Sequence, residues 1–278
     1  MRLSRARAGN EEMPTNALIE AISTPLAEWW SRPLREVQVA VLDSGIDSTH
    51  PDLAARIGEA FAVEVDPASK RPVWRRIGPK TNNDVYGHGT GVASVIAKLA
   101  PNARIIDVRV LGTDNGGSVA CSIKALKKSV ERHWPILNMS LAIGTSFAGR
   151  VRPLCEAAWR QGQVVVSAKR NYTPLYDDLG LPAELATSIS VDTELLPDPR
   201  TIRFRSGEII EFVALGENVT VAAPGGLYTT KRGTSYATPA VSALCAVMLG
   251  AFPGLLPFEV RTVLKHHALP AVVQSSEA

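Results

Sequence analysis

The chain has 278 residues, of which 45% are hydrophobic and 21% charged; that is enough apolar material for an ordinary soluble core, in one large or two ordinary domains. Lys and Arg number 30 against 27 Asp and Glu, a net charge of +3, which excludes the concentrated basic footprint of a nucleic-acid binder. Cys121, Cys155 and Cys245 are three widely spaced cysteines in predicted helices, suited to small buried hydrophobes and to neither a disulfide framework nor a zinc site.

The stretch MRLSRARAGNEEMPTN starts basic but lacks the apolar run and small-residue cleavage site of an export signal. The longest apolar stretch, near 240–252, is too short to span a bilayer. These features predict a cytoplasmic protein with no membrane or nucleic-acid partner. Residues 1–31 read as an extension, frayed over 1–12, with an amphipathic helix over 13–30 whose stripe of Leu18, Ile19, Ile22, Leu26, Trp29 and Trp30 packs on its own domain. One domain over 32–270 and a tail over 271–278 follow, since no repeat or composition shift interrupts the chain after residue 31.

Short β-branched runs mark strands at 36–43, 103–112, 135–140, 163–168, 188–192 and 218–223. Between them GTGVASVIAKL, SVACSIKALKKSVERH and AGRVRPLCEAAWRQG carry helical apolar spacing. The alternation predicts an α/β fold of three layers, a doubly wound, mostly parallel sheet with helices on both faces. In such a sheet ligands gather beyond the carboxyl ends of the strands, so the polar residues there carry the interest.

Asp43 closes VAVLD before a Ser-Gly turn, a position that also suits a simple turn cap. His88 lies between two glycines at the start of a predicted helix, which leaves its ring unobstructed. Ser235, in RGTSYATPAVSALC, opens a long apolar helix and reads either as its cap or as a nucleophile. Asp43, His88 and Ser235 stand in one of the chain orders in which the Asp–His–Ser triad recurs on α/β folds. A nucleotide-binding domain is excluded, because no glycine-rich phosphate loop follows the first strand.

VAVLDSGIDSTHPDL, GHGTGVASVIA and GTSYATPAVSAL resemble the Asp, His and Ser motifs of the subtilisin-like serine proteases, the subtilases, with a likeness running from about 36 to 268. The resemblance implies an endopeptidase with Ser235 as nucleophile, His88 as general base and then acid, and Asp43 fixing the imidazole. It implies an oxyanion hole from Asn171 and the Ser235 N–H, and structural duty for His50. It places an extended protein or peptide substrate between Leu111, Gly112, Gly116 and Gly117 on one side and Ser140, Leu141, Ala142, Ala168, Lys169 and Arg170 on the other.

Two departures stand out. Lys169 and Arg170 replace small residues of the family's pocket wall, and Ala142 and Ile143 replace glycines, which together imply restricted specificity or control by a regulatory protein partner. A silent or latent scaffold of the same fold is the rival reading. The helix at His88 passes almost directly into the next strand, leaving no room for a family calcium loop, and the stretch before Asp43 is shorter than the pro-domain of exported relatives. No cofactor and no metal is expected. Ser235 is expected to cap its helix as well, and Tyr236 to pack its ring beneath the site.

Overall fold

Strand β1 (Val37–Asp43) is buried almost throughout and turns Val39 and Val41 to one face and Ala40 and Leu42 to the other, so it needs cover on both sides. The computed structural model describes residues 16–171 and 178–270 and supplies that cover with helices. The described part of the extension holds α1 (Ala17–Ser23), and after β1 come β2 (Ile57–Val65) and β3 (Pro72–Ile77). Helix α2 (His88–Leu99), β4 (Ala103–Arg109), α3 (Val119–Glu131), β5 (Ile136–Met139), α4 (Ala148–Arg160), β6 (Val164–Ala168) and β7 (Ser188–Glu194) build the alternating centre. Strands β8 (Ile202–Phe204), β9 (Phe212–Leu215), β10 (Val219–Ala223) and β11 (Leu227–Lys231) precede α5 (Thr234–Ala251), α6 (Pro257–His267) and β12 (Leu269–Pro270).

Ten of these strands form one sheet in the order β12-β8-β9-β7-β6-β5-β1-β4-β2-β3. From β9 to β2 every neighbour is parallel, while β3 and β8 are antiparallel additions at the flanks. Helices α2 and α5 share one apolar cluster with the sheet, and α3 and α4 share another on the opposite face. Cys121, Cys155 and Cys245 are buried free thiols in α3, α4 and α5.

The structure corrects the sequence reading in several places. The predicted run at 218–223 is not part of the main sheet; it is β10, paired only with β11 in a separate antiparallel ribbon. Strands β2 and β3 fill a region where the sequence predicts none, because β3, PVWRRI, is half exposed and lacks a clean alternation. The predicted helix over 13–30 is broken where described: α1 stops at Ser23, Thr24 is extended ahead of Pro25, and a 3-10 turn resumes over Leu26–Ser31. A residue before proline is pushed out of the helical region, which explains the break.

The extension packs on its own domain through Leu18, Ile22, Leu26, Trp29 and Trp30, but Ile19, expected in the same stripe, is 58% exposed. Trp29 is fully buried against Phe252 and His267, and the Trp30 indole donates to the Leu99 carbonyl at 2.7 Å. Its predicted frayed start, and the predicted tail at 271–278, lie outside the described residues. Helix α5, counted from Thr234, reaches 18 residues, long and apolar enough to cross a membrane by composition, but 89% of it is buried within the fold. A helix apolar all round is what a central core position demands.

Candidate active site

Asp43 is the last residue of β1, Ser140 follows β5, and Lys169 to Asn171 follow β6. All sit at the carboxyl edge of the sheet, where α2 and α5 also begin. Asp43 is completely buried and its Oδ1 accepts from the Ser44 N–H at 2.7 Å and faces His88 Nδ1 at 2.7 Å. Burial alone would lower the His88 pKa; the Asp43 carboxylate, with help from Asp84, outweighs that and the opposing Lys231, and the pKa stands above its ordinary value. With Nδ1 engaged by Asp43, Nε2 is the nitrogen left for proton transfer.

The turn after Asp43 is locked onto α2. A Cβ on Gly89 would lie 2.1 Å from the Gly45 carbonyl oxygen, so only glycine admits this approach. Asp84 is the hub of the lock: its Oδ1 accepts from Ser44 Oγ (2.8 Å), Tyr86 N–H (3.0 Å) and Gly87 N–H (2.6 Å). Its Oδ2 accepts from the Thr90 N–H at 2.9 Å and from the Thr90 hydroxyl. A carboxylate there also complements the positive end of α2. The sequence reading passes over Asp84, although its place four residues before His88 was visible. His50 is structural, as expected: Nδ1 accepts from the Asp52 N–H at 3.2 Å and Nε2 donates to the Leu227 carbonyl at 3.0 Å.

Ser235 does not cap α5, which corrects the expectation. The N-cap is Gly233, at φ 124 and ψ 165, and Ser235 is the second helical residue. A β-carbon would be strained at that φ. The Ser235 hydroxyl instead donates to the Ser140 carbonyl at 3.1 Å, while Ser140 Oγ donates to the Ser235 carbonyl at 2.9 Å. Asn138 Nδ2 donates to Ser140 Oγ at 3.1 Å, and the Ser242 hydroxyl donates to Asn138 Oδ1 at 2.8 Å. The Ser235 N–H lies in the first turn, where backbone donors have no intrahelical acceptor.

Asn171 is exposed, and its amide lies close to Gly233. The Thr234 hydroxyl is shared between the Lys169 carbonyl at 2.8 Å and Asn171 Oδ1 at 3.1 Å, which leaves Asn171 Nδ2 as the outward donor. Thr234 is a second residue that the sequence reading overlooks. Tyr236 is buried with its ring 5.3 Å from that of His88, in keeping with the expected packing beneath the site.

Ser140, Leu141, Ala142, Ala168, Lys169, Arg170, Asn171 and Ser235 line one cleft of ≈ 260 Å³. Leu111, Gly112, Gly116 and Gly117 line a neighbouring one of ≈ 410 Å³ that also touches Val85 and Arg109. The cationic pair does not project into open cleft. Lys169 Nζ bonds Asp192 at 2.8 Å, alongside Arg205 at 2.7 Å, and Arg170 Nε bonds Asp178 at 2.9 Å. Among the described residues no group of three or more His, Cys, Asp or Glu could hold a metal ion.

A buried carboxylate on an imidazole, with a helix-start serine on the same sheet edge and two donors near that serine, is the equipment of a serine hydrolase. The comparisons narrow the class. Residues 35–277 match the family model described as subtilase family. The chain is 30% identical over 243 residues to subtilisin E of Bacillus subtilis (strain 168), covering 84% of this chain and 60% of that protein. It is 30% identical over 243 residues to a subtilisin of Bacillus pumilus, covering 84% and 83%. Among solved structures, sphericase superposes with a TM-score of 0.65 at 24% identity over 82% of this chain and 81% of that one. The S41 psychrophilic protease does so with a TM-score of 0.68 at 24% identity over 83% and 82%. The chain belongs to the subtilase family. The match spans 60% of the length of subtilisin E, so the whole of that protein is not represented here.

Proposed function

We propose that the protein is a serine endopeptidase that cleaves peptide bonds of protein or peptide substrates through an acyl-enzyme on Ser235. The observation that carries this is the buried Asp43–His88 hydrogen bond of 2.7 Å on the same sheet edge as the start of α5. In the reaction Ser235 Oγ turns from the Ser140 carbonyl to His88 and attacks the scissile carbonyl carbon, and its proton passes to Nε2. Asp43 steadies the imidazolium without taking the proton. The oxyanion accepts from Asn171 Nδ2 and the Ser235 N–H, and the intermediate collapses as His88 gives its proton to the leaving amine. A water, deprotonated by His88, then releases the acid and restores Ser235.

Control by a regulatory protein partner is supported by one feature, the resting Ser235 hydroxyl committed to Ser140. The three unpaired buried thiols support a reducing compartment such as the cytoplasm, since such compartments keep cysteines free. The test is digestion of an unfolded protein substrate by the wild type and by Ser235→Ala. Cleavage by the wild type alone supports the reading; equal cleavage by both overturns it.

A further inference from the structure

The cleft that holds both Ser235 and Asn171 must receive the side chain on the acyl side of the cut bond, given the proposed peptidase reading on which this inference rests. With the carbonyl carbon at Ser235 Oγ and its oxygen toward Asn171, the α-carbon is one bond away, and its side chain falls between the segments at 140–142 and 168–170. The segment at 179–181 packs against Ala142 and Arg170, one from each wall, and so forms a floor between them. Ile143 and Leu181 exchange two backbone hydrogen bonds of 2.8 Å, and the Arg170 N–H donates to the Leu179 carbonyl at 2.8 Å, so both walls are tied to the floor.

Arg170 lies across this floor. A β-carbon on Gly180 would stand 2.7 Å from the Ala142 Cβ, 3.4 Å from the Arg170 Cβ and 3.5 Å from its Nε. The Arg170 side chain is 14% exposed and its partner Asp178 21%, with 2.9 Å between Nε and Oδ1. The side chain is therefore packed against Gly180 and held there by its partner, where it narrows the ≈ 260 Å³ cleft on the Ala142 side. A benzyl or isobutyl group reaching past Ala142 toward Gly180 would have to lift Arg170 from Asp178, and breaking a largely buried ion pair is costly.

The charges exclude the other simple outcome. Lys169 is turned to Asp192, a carboxylate it shares with Arg205, and Arg170 is neutralised by Asp178. Neither cation is left to recruit an acidic side chain.

We infer that the Arg170–Asp178 pair makes this a protease for small acyl-side residues, of the alanine, glycine and serine class. The experiment uses peptides identical except for Ala, Phe, Leu, Glu or Lys on the acyl side of the bond, with active sites counted by a fluorophosphonate probe. The wild type should turn over the Ala peptide at least about 100-fold faster in kcat/KM than the Phe peptide, the scale on which a pocket rejects a group it cannot hold. Arg170→Gly, and the double variant Arg170→Gly, Asp178→Asn in case a lone carboxylate prevents folding, should shrink the Ala-over-Phe and Ala-over-Leu ratios in kcat/KM about 100-fold. A labelled wild type that prefers Phe, Leu or Glu overturns the pocket inference and leaves the peptidase reading standing. A wild type that neither labels nor cleaves any peptide overturns both.

Discussion

Replacing Asp84 by Asn tests whether one carboxylate holds the start of α2, and with it His88, in place. Its two oxygens take five donors, three on Oδ1 and two on Oδ2. An amide has a single acceptor oxygen. If that oxygen stays with the Oδ1 group, its NH2 faces the Thr90 N–H, a donor left without an acceptor; the Thr90 hydroxyl can turn to accept, but the backbone cannot. Hydrogen bonds to charged groups contribute about 1.5–3 kcal/mol each, so losing one and weakening the remaining three amounts to about 2–4 kcal/mol. At about 2–4 °C per kcal/mol for a chain of this size, the melting temperature should fall by about 4–16 °C. The assay is thermal unfolding of Asp84→Asn in a Ser235→Ala background, which removes self-digestion. Losing the Asp84 charge should also lower the His88 pKa and move the acid limb of kcat/KM, read with Ser235 intact, to lower pH. A melting temperature within about 2 °C of the parent, together with an unmoved acid limb, would refute the assignment of Asp84 as the anchor, since even the low estimate gives about twice that.

Three further outcomes follow from the same geometry. Because His88 titrates above its ordinary value, kcat/KM should rise with pH through a midpoint above about 6.5 as the imidazole loses its proton, and Asp43→Asn should lower both the rate and that midpoint; a midpoint at or below the ordinary value contradicts the pairing. The same raised value means that the His88–Asp43 pair contributes stability that is full below the unfolded pKa and lost as pH rises through the folded one. Asn171→Leu should cost about 10²–10³ in kcat with little change in KM, a magnitude taken from removal of one oxyanion donor in a subtilisin; an unchanged kcat would remove Asn171 from the oxyanion hole. Asp107 is fully buried with neither oxygen in a hydrogen bond of good geometry, and burial pushes its pKa up to about 8, so its neutral form is favoured in the fold. Holding it neutral at pH 7 costs on the order of 4 kcal/mol, so wild-type stability should decline from about pH 4 to pH 8, and Asp107→Asn should flatten that decline and unfold at a higher temperature at pH 7; an unchanged profile would contradict it.

What the sequence made legible was local. Asp43, His88 and Ser235 each sit where a strand ends or a helix starts, and glycines mark those turns, so neighbouring residues alone singled them out as candidates. The central strands β1, β4, β5, β6 and β7 were legible because each is a short apolar run buried on both faces. The flanking strands were not, since PVWRRI in β3 is only half buried and its pairing with β2 depends on register across the hairpin. Side-chain directions were hidden for the same reason. Whether Arg170 points into the cleft depends on Asp178, eight residues on, and whether Lys169 does depends on Asp192 and Arg205, brought to it only when β6, β7, β9 and β8 pack in that order. Ser235 looked like a cap because serine favours that position, but Gly233 takes it through a backbone conformation that favours glycine.

The most direct test of the central claim is covalent labelling with a fluorophosphonate, followed by mass-spectrometric mapping of the modified residue. An ordinary serine hydroxyl is inert to such a reagent, and one activated by an adjacent imidazole is not. The wild type should carry a single adduct on Ser235, formed faster as pH rises through the His88 pKa, and Ser235→Ala and His88→Ala should carry none. An unlabelled wild type, or equal labelling of Ser235→Ala, would contradict the assignment of Ser235 as an activated nucleophile.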